Sequence, residues 1–107
     1  MRNRLDEMLT LLLRHVEPVD GGHDTACWRL TLGRDSRNGY RRLWVDGREI
    51  MGHRFLYETL AGPIAPGLVL DHLCRQRWCV RPCHHEPVTI RENTLRGEAV
   101  LFRRLLR

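Results

Sequence analysis

Residues 71–84 read DHLCRQRWCVRPCH. One aspartate, two histidines and three cysteines crowd into this stretch, and these are the side chains that most often bind metals or move protons. Four residues separate Cys74 from Cys79, and His84 follows five positions after Cys79. A structural zinc takes four tetrahedral Cys or His ligands, so the stretch offers three. Spacing alone leaves the fourth to Cys27, Cys83 or His85. Immediately before the stretch, the apolar run Leu68-Val69-Leu70 reads as a strand that delivers Asp71 and His72 at its end. Immediately after it, EPVT (86–89) reads as the returning strand. Thr89 and Glu92 then make a capping box for a last helix, from Ile90 toward Leu105, with Asn93 in its first turn despite Gly97 further along. The carboxy-terminal half is thus strand, metal-rich loop, strand, helix.

Working outward, Leu5, Met8, Leu9, Leu12, Leu13 and Val16 follow the spacing of a helix with one apolar face. Pro18 and Gly21-Gly22 end it, which predicts an N-terminal helix over 1–20. CWRLTL (27–32), YRRLWV (40–45) and REIM (48–51) read as three antiparallel strands. The first two are joined by the turn-forming GRDSRNG (33–39), the last two by the tight-turn pair Asp46-Gly47. HRFLYETLA (53–61) predicts a short helix closed by Gly62 and Pro63. Residues 27–61 are therefore strands and a short helix, and the fold class is α+β: a small antiparallel sheet, then the metal-bearing unit over 68–105, with helices at both termini. Trp28, Trp44 and Trp78 are expected in the core, since a small domain relies on large aromatics for buried area.

The chain has 107 residues, which bounds it to one small domain over 1–107 with a modest core, so a metal staple would help. No signal peptide is visible and no run approaches the ~20 apolar residues of a membrane span. A cytoplasmic, reducing compartment is expected, where a Cys/His cluster binds metal rather than forming disulfides. All 18 basic residues are arginine, against 13 acidic residues, for a net charge of +5. That balance suits a polyanion, and arginine forks bind phosphate bidentately.

HLCRQRWCVRPCHHEPVTIREN (72–93) resembles the core of the HNH endonucleases of the ββα-metal superfamily, closest to the small phage-type proteins, with His-Cys box homing endonucleases as relatives. Upstream, CWRL, NGYRRLWVDGR, HRFLYETLAGPI and GLVLDHLC resemble the same group in the same order, so the likeness runs over about residues 27–97. It implies that His72 is the general base, that Asn93 binds a catalytic divalent ion, and that Asp71 is a second ligand to it. It also implies that Cys27, Cys74, Cys79 and His84 hold a structural zinc, and that Arg41 or Arg42 is an active-site arginine near the scissile phosphate. The implied cofactors are catalytic Mg²⁺ or Mn²⁺ and structural Zn²⁺. The implied partner is double-stranded DNA, in a phage-encoded or bacterial setting, with the protein a monomer or homodimer and no membrane involved.

Phosphodiester hydrolysis requires this division of labour. An imidazole makes a nucleophile from water near neutral pH, and a cation on oxygen ligands meets the negative charge that develops on phosphate. Arg75, Arg77, Arg81, Arg91 and Arg96 flank the motif as candidate phosphate contacts. Arg81-Pro82 stands where the family usually has Asn-Pro, His85 where it usually has Leu, and Cys83 is an extra thiol. The alternative reading is a non-catalytic zinc-stapled DNA-binding module, which would need neither His72 nor Asn93.

Overall fold

The computed structural model describes residues 4–105. Helix α1 (Arg4–Arg14) sinks one side chain of its apolar face, Leu12, into a core with Leu30, Leu43, Leu56 and Val80. Arg4 pairs with Asp46, which ties the helix to the hairpin turn across from it. The helix expected over 1–20 is shorter: Val16–Val19 is strand β1, antiparallel to β2 (Cys27–Leu30), with Val19 opposite Cys27. Pro18 cannot continue a helix, and pairing with β2 gives the two valines a better place than a frayed last turn. Residues 1–3 of that expectation lie outside the described residues.

The sheet is divided. Besides β1-β2 there is a three-stranded ribbon of β3 (Arg34–Asp35), β4 (Arg41–Val45) and β5 (Arg48–Met51), and a separate pair of β6 (Leu68–His72) with β7 (His85–Thr89). The break between the first two lies at Gly33, whose φ is 83° and where a Cβ would sit 2.3 Å from the Arg42 carbonyl oxygen. Only glycine allows so close a turn, and it sends the chain into a new ribbon. Asp46 and Gly47 both have positive φ, as the two-residue turn between β4 and β5 demands.

Helix α2 (Gly52–Leu60) buries Leu56 in the core. Helix α3 (Ile90–Leu105) starts where expected: the Glu92 N–H donates to Thr89 Oγ1 at 3.0 Å, a cap that contributes ~1 kcal/mol. Trp28 and Trp78 are half-buried, but Trp44 is 66% exposed, beside an apolar groove of about 550 Å³ between α1 and β4. It alternates outward from Leu43, which takes the core position on that strand.

Candidate functional site

Cys27, Cys74, Cys79 and His84 are all buried, and their ligand atoms lie within 4.8 Å of one another. Among the described residues no other Cys, His or acidic set meets that test. Two long-range contacts bring Cys27 to the loop. Arg29 and Cys79 form a bridge, and the Val80 N–H donates to the Trp28 carbonyl at 2.9 Å, so the loop is stitched to β2. Three thiols and an imidazole at this spacing are a tetrahedral zinc donor set. The protons resist the crowding: burial raises the Cys27 thiol, the hydrogen bond with Cys74 raises Cys79, and that same bond lowers Cys74 to about 5. A metal would relieve the conflict by replacing those protons.

His84 turns Nδ1 to the thiols, 3.5 Å from Cys79 Sγ and 3.6 Å from Cys27 Sγ. Its Nε2 is 2.6 Å from Thr25 Oγ1. That hydroxyl fixes the tautomer by accepting the Nε2 proton, the usual way a protein aims a metal-binding histidine. Sequence reasoning had no signal for Thr25, which lies far away in the chain. Gly21 completes the enclosure, because a Cβ there would come within 2.7 Å of Cys27 Sγ. Cys83 is exposed and His85 points elsewhere, so neither competes for the fourth position.

On the other side of this loop, His72, Asn93, Arg75, Arg77 and Tyr40 line a cavity of about 390 Å³. Strand β6 supplies His72, the loop supplies both arginines, and the first turn of α3 supplies Asn93. His72 is 6% exposed. Its ring lines the cavity, with Nε2 on the buried side near the Cys79 backbone. Burial first, then the neighbouring His85 and His53, lower its pKa to about 2, so the ring is neutral and carries a lone pair. Burial likewise lowers His53 and His85 to about 4 each.

Asp71 also lines the cavity, but its oxygens are taken: Arg75 donates to Oδ1 at 2.9 Å and Arg96 to Oδ2 at 3.0 Å. Arg96 also reaches Glu86, which sits opposite Asp71 on β7. Two of the carboxylate's lone-pair sites are thus occupied, and the Asn93 amide is a further oxygen donor among the residues lining the cavity. Arg75 adopts φ 62°, a left-handed conformation that costs a non-glycine residue roughly 1–2 kcal/mol and is held here by the Asp71 pair.

The remaining arginines divide by partner. Neither Arg41 nor Arg42 lines the His72 cavity. Arg41 donates to the Leu32 carbonyl and to Asp35, and Arg42 lies beside the apolar groove near Glu49. Arg81 donates to the Ala26 carbonyl at 2.8 Å and lies over the Trp28 ring, so it braces the zinc loop against β2. Arg91 is exposed on the first turn of α3.

Residues 51–95 match the family model for HNH endonuclease. The chain is 35% identical over 68 residues to Protein 7.7 of Escherichia phage T7, covering 64% of this chain and 52% of that relative, so it spans about half the relative's length. No solved structure matches. No helix among the described residues is long and apolar enough to cross a membrane.

Proposed function

We propose that this chain, which is similar over residues 51–95 to the HNH endonucleases, is a metal-dependent DNA endonuclease acting as a single HNH domain. The observation that carries this reading is one cavity lined together by His72, Asn93, Arg75 and Arg77. In the mechanism, Arg75 and Arg77 bind the non-bridging oxygens of a DNA phosphate and draw it over His72. His72 takes a proton from water, the hydroxide attacks phosphorus in line with the 3′ oxygen, and that oxygen leaves and takes a proton from solvent, so products carry 5′-phosphate and 3′-hydroxyl ends. A divalent ion, Mg²⁺ or Mn²⁺, held at the Asn93 side chain would supply positive charge at the developing phosphorane and leaving oxygen. Asp71 fixes Arg75 and Arg96, and would hold the ion with the lone pairs those two hydrogen bonds leave. A zinc held by Cys27, Cys74, Cys79 and His84 would fasten the loop that carries both cavity arginines. Outside the cavity, exposed Arg91 extends the phosphate track.

One observation favours the alternative of a zinc-stapled DNA-binding module: both Asp71 oxygens are already satisfied. Supercoiled plasmid with wild-type protein and Mg²⁺ or Mn²⁺, beside an EDTA control, separates the two. Nicked or linear product that needs the divalent ion supports the nuclease. Retained DNA binding without product, across both ions, supports the module.

A further inference from the structure

Arg77 is exposed on the loop between Cys74 and Cys79, yet a distant part of the chain holds its side chain. That part is the turn 36–40 between β3 and β4, which is closed by its own hydrogen bonds. The Ser36 N–H donates to the Tyr40 carbonyl at 2.6 Å, the Gly39 N–H to the Ser36 carbonyl at 2.8 Å, and the Tyr40 N–H to Ser36 Oγ at 3.1 Å. Gly39 makes the reversal at φ 90°, a conformation that favours glycine. The closed turn meets Arg77 in three places. Nη1 donates to the Asn38 carbonyl at 3.0 Å. The stem passes Gly39, where a Cβ would lie 3.5 Å from Arg77 Cβ. The guanidinium carbon stands over the Tyr40 ring, 5.7 Å from its centroid. Tyr40 is itself held by the His53 ring, stacked at 5.3 Å.

An exposed arginine that binds phosphate gives up rotamer freedom, and one that is already held gives up less. A guanidinium over an aromatic face at this distance is within reach of a cation–π contact. Such a contact uses the face of the guanidinium and leaves its edge, where the five N–H donors lie. Asn38 takes one of those donors, so the rest of the fork stays open to an anion. The two cavity arginines are held differently. Arg75 pairs with the Asp71 carboxylate, which offsets part of its charge. Arg77 is held by a carbonyl and a neutral ring, and among the described residues no carboxylate pairs with it. Its full charge is therefore available to a phosphate. Tyr40 lines the same cavity as His72 and Arg77, which keeps the held guanidinium at that cavity.

We propose that Tyr40 is a positioning residue for Arg77: its ring, with the Asn38 carbonyl, holds the guanidinium at the cavity with its open edge ready for a DNA phosphate. This rests on the reading of the cavity as a DNA-binding site. It deepens that reading by giving the neutral stretch Asn38–Tyr40, from the other half of the chain, a part in phosphate recognition. Of the three consecutive residues Tyr40, Arg41 and Arg42, only the tyrosine lines the cavity, and it acts there through an arginine 37 residues further on.

The test titrates a duplex oligonucleotide with the whole chain at one fixed salt concentration, with metal content measured on every variant. Wild type is compared with Tyr40→Phe, Tyr40→Leu, Arg77→Ala and the double variant Tyr40→Leu/Arg77→Ala. Tyr40→Phe keeps the ring face and is expected to bind as wild type does. Tyr40→Leu is expected to bind about two- to fivefold more weakly, and to cost nothing further once Arg77 is alanine. Wild-type affinity in Tyr40→Leu overturns the proposal, as does a Tyr40→Phe variant that falls as far as Tyr40→Leu. An equal loss from Tyr40→Leu with and without Arg77 also overturns it, because the tyrosine would then act on the fold and not through the arginine. The contact is read separately in wild type by NMR, so the test survives a variant that does not fold. The Arg77 side-chain protons are expected upfield of their random-coil positions, and the absence of that ring-current shift overturns the proposal. Failure of the nuclease reading shows differently, as wild type that binds the duplex but leaves plasmid uncut in Mg²⁺. Wild type that binds no duplex overturns both.

Discussion

Asp71 is 2% exposed, and each of its oxygens faces a guanidinium. Desolvating a carboxylate is costly, so the gain from Arg75 and Arg96 must exceed that cost for the arrangement to persist. Asp71→Asn keeps the shape, removes the charge, and leaves two cations side by side. We expect a loss of about 1–3 kcal/mol in chemical denaturation without divalent ions, since both arginines are partly solvated. A carboxylate waiting only for a metal would behave oppositely, and its removal would stabilise the metal-free protein. The aspartate's position at the end of β6 was legible in the sequence. Its partners were not, because Arg96 comes from a different element, 25 residues away.

At the scale of elements, a metal held by the Cys/His cluster would depend on residues that are not ligands. Thr25 orients His84, and losing such a partner typically weakens metal affinity 10- to 100-fold. Thr25→Val should therefore release zinc to a chelator at correspondingly lower concentration, with the fold otherwise intact when zinc is saturating. Helix α3 offers a contrasting case in Gly97, which lines the cavity and where a Cβ would meet nothing within 4 Å. Gly97→Ala should stabilise the helix by roughly 0.5–1 kcal/mol while adding a methyl group beside Asn93 and Thr94. Thermal stability is expected to rise and DNA cleavage to fall, a pairing that a purely structural glycine would not give. The Thr89 cap and the Asp46-Gly47 turn were legible because both are local backbone chemistry. Strand β1 was hidden, because Val16 continues the helical spacing and its strand partner, Leu30, lies 14 residues further on.

For the molecule as a whole, a net charge of +5 with arginine as its sole basic residue type suits a polyanion, yet most of the arginines near the site have structural work first. Arg41 and Arg81 are spent on backbone carbonyls, which no composition reveals. Arg75 and Arg77 line the cavity, although Arg75 also pairs with Asp71 and Arg77 also donates to the Asn38 carbonyl. Arg77→Ala should weaken binding to duplexes of any sequence and reduce the salt dependence of log K by about one phosphate contact, measured by titration at several salt concentrations. Arg42→Ala should leave that slope unchanged. Three members of the Cys/His cluster were legible from spacing, which left the fourth open among Cys27, Cys83 and His85, and the resemblance pointed to Cys27. The roles of individual arginines, and the place of the Tyr40 ring beneath Arg77, required the three-dimensional neighbours. The most direct measurement compares His72→Ala with wild type for DNA affinity, zinc content and plasmid cleavage in Mg²⁺. Equal zinc and affinity with cleavage reduced by at least 10²-fold, within the range expected for loss of a general base, is the outcome that follows from a nuclease. Cleavage by the variant at the wild-type rate would contradict His72 as the base and, with it, the mechanism built on this cavity.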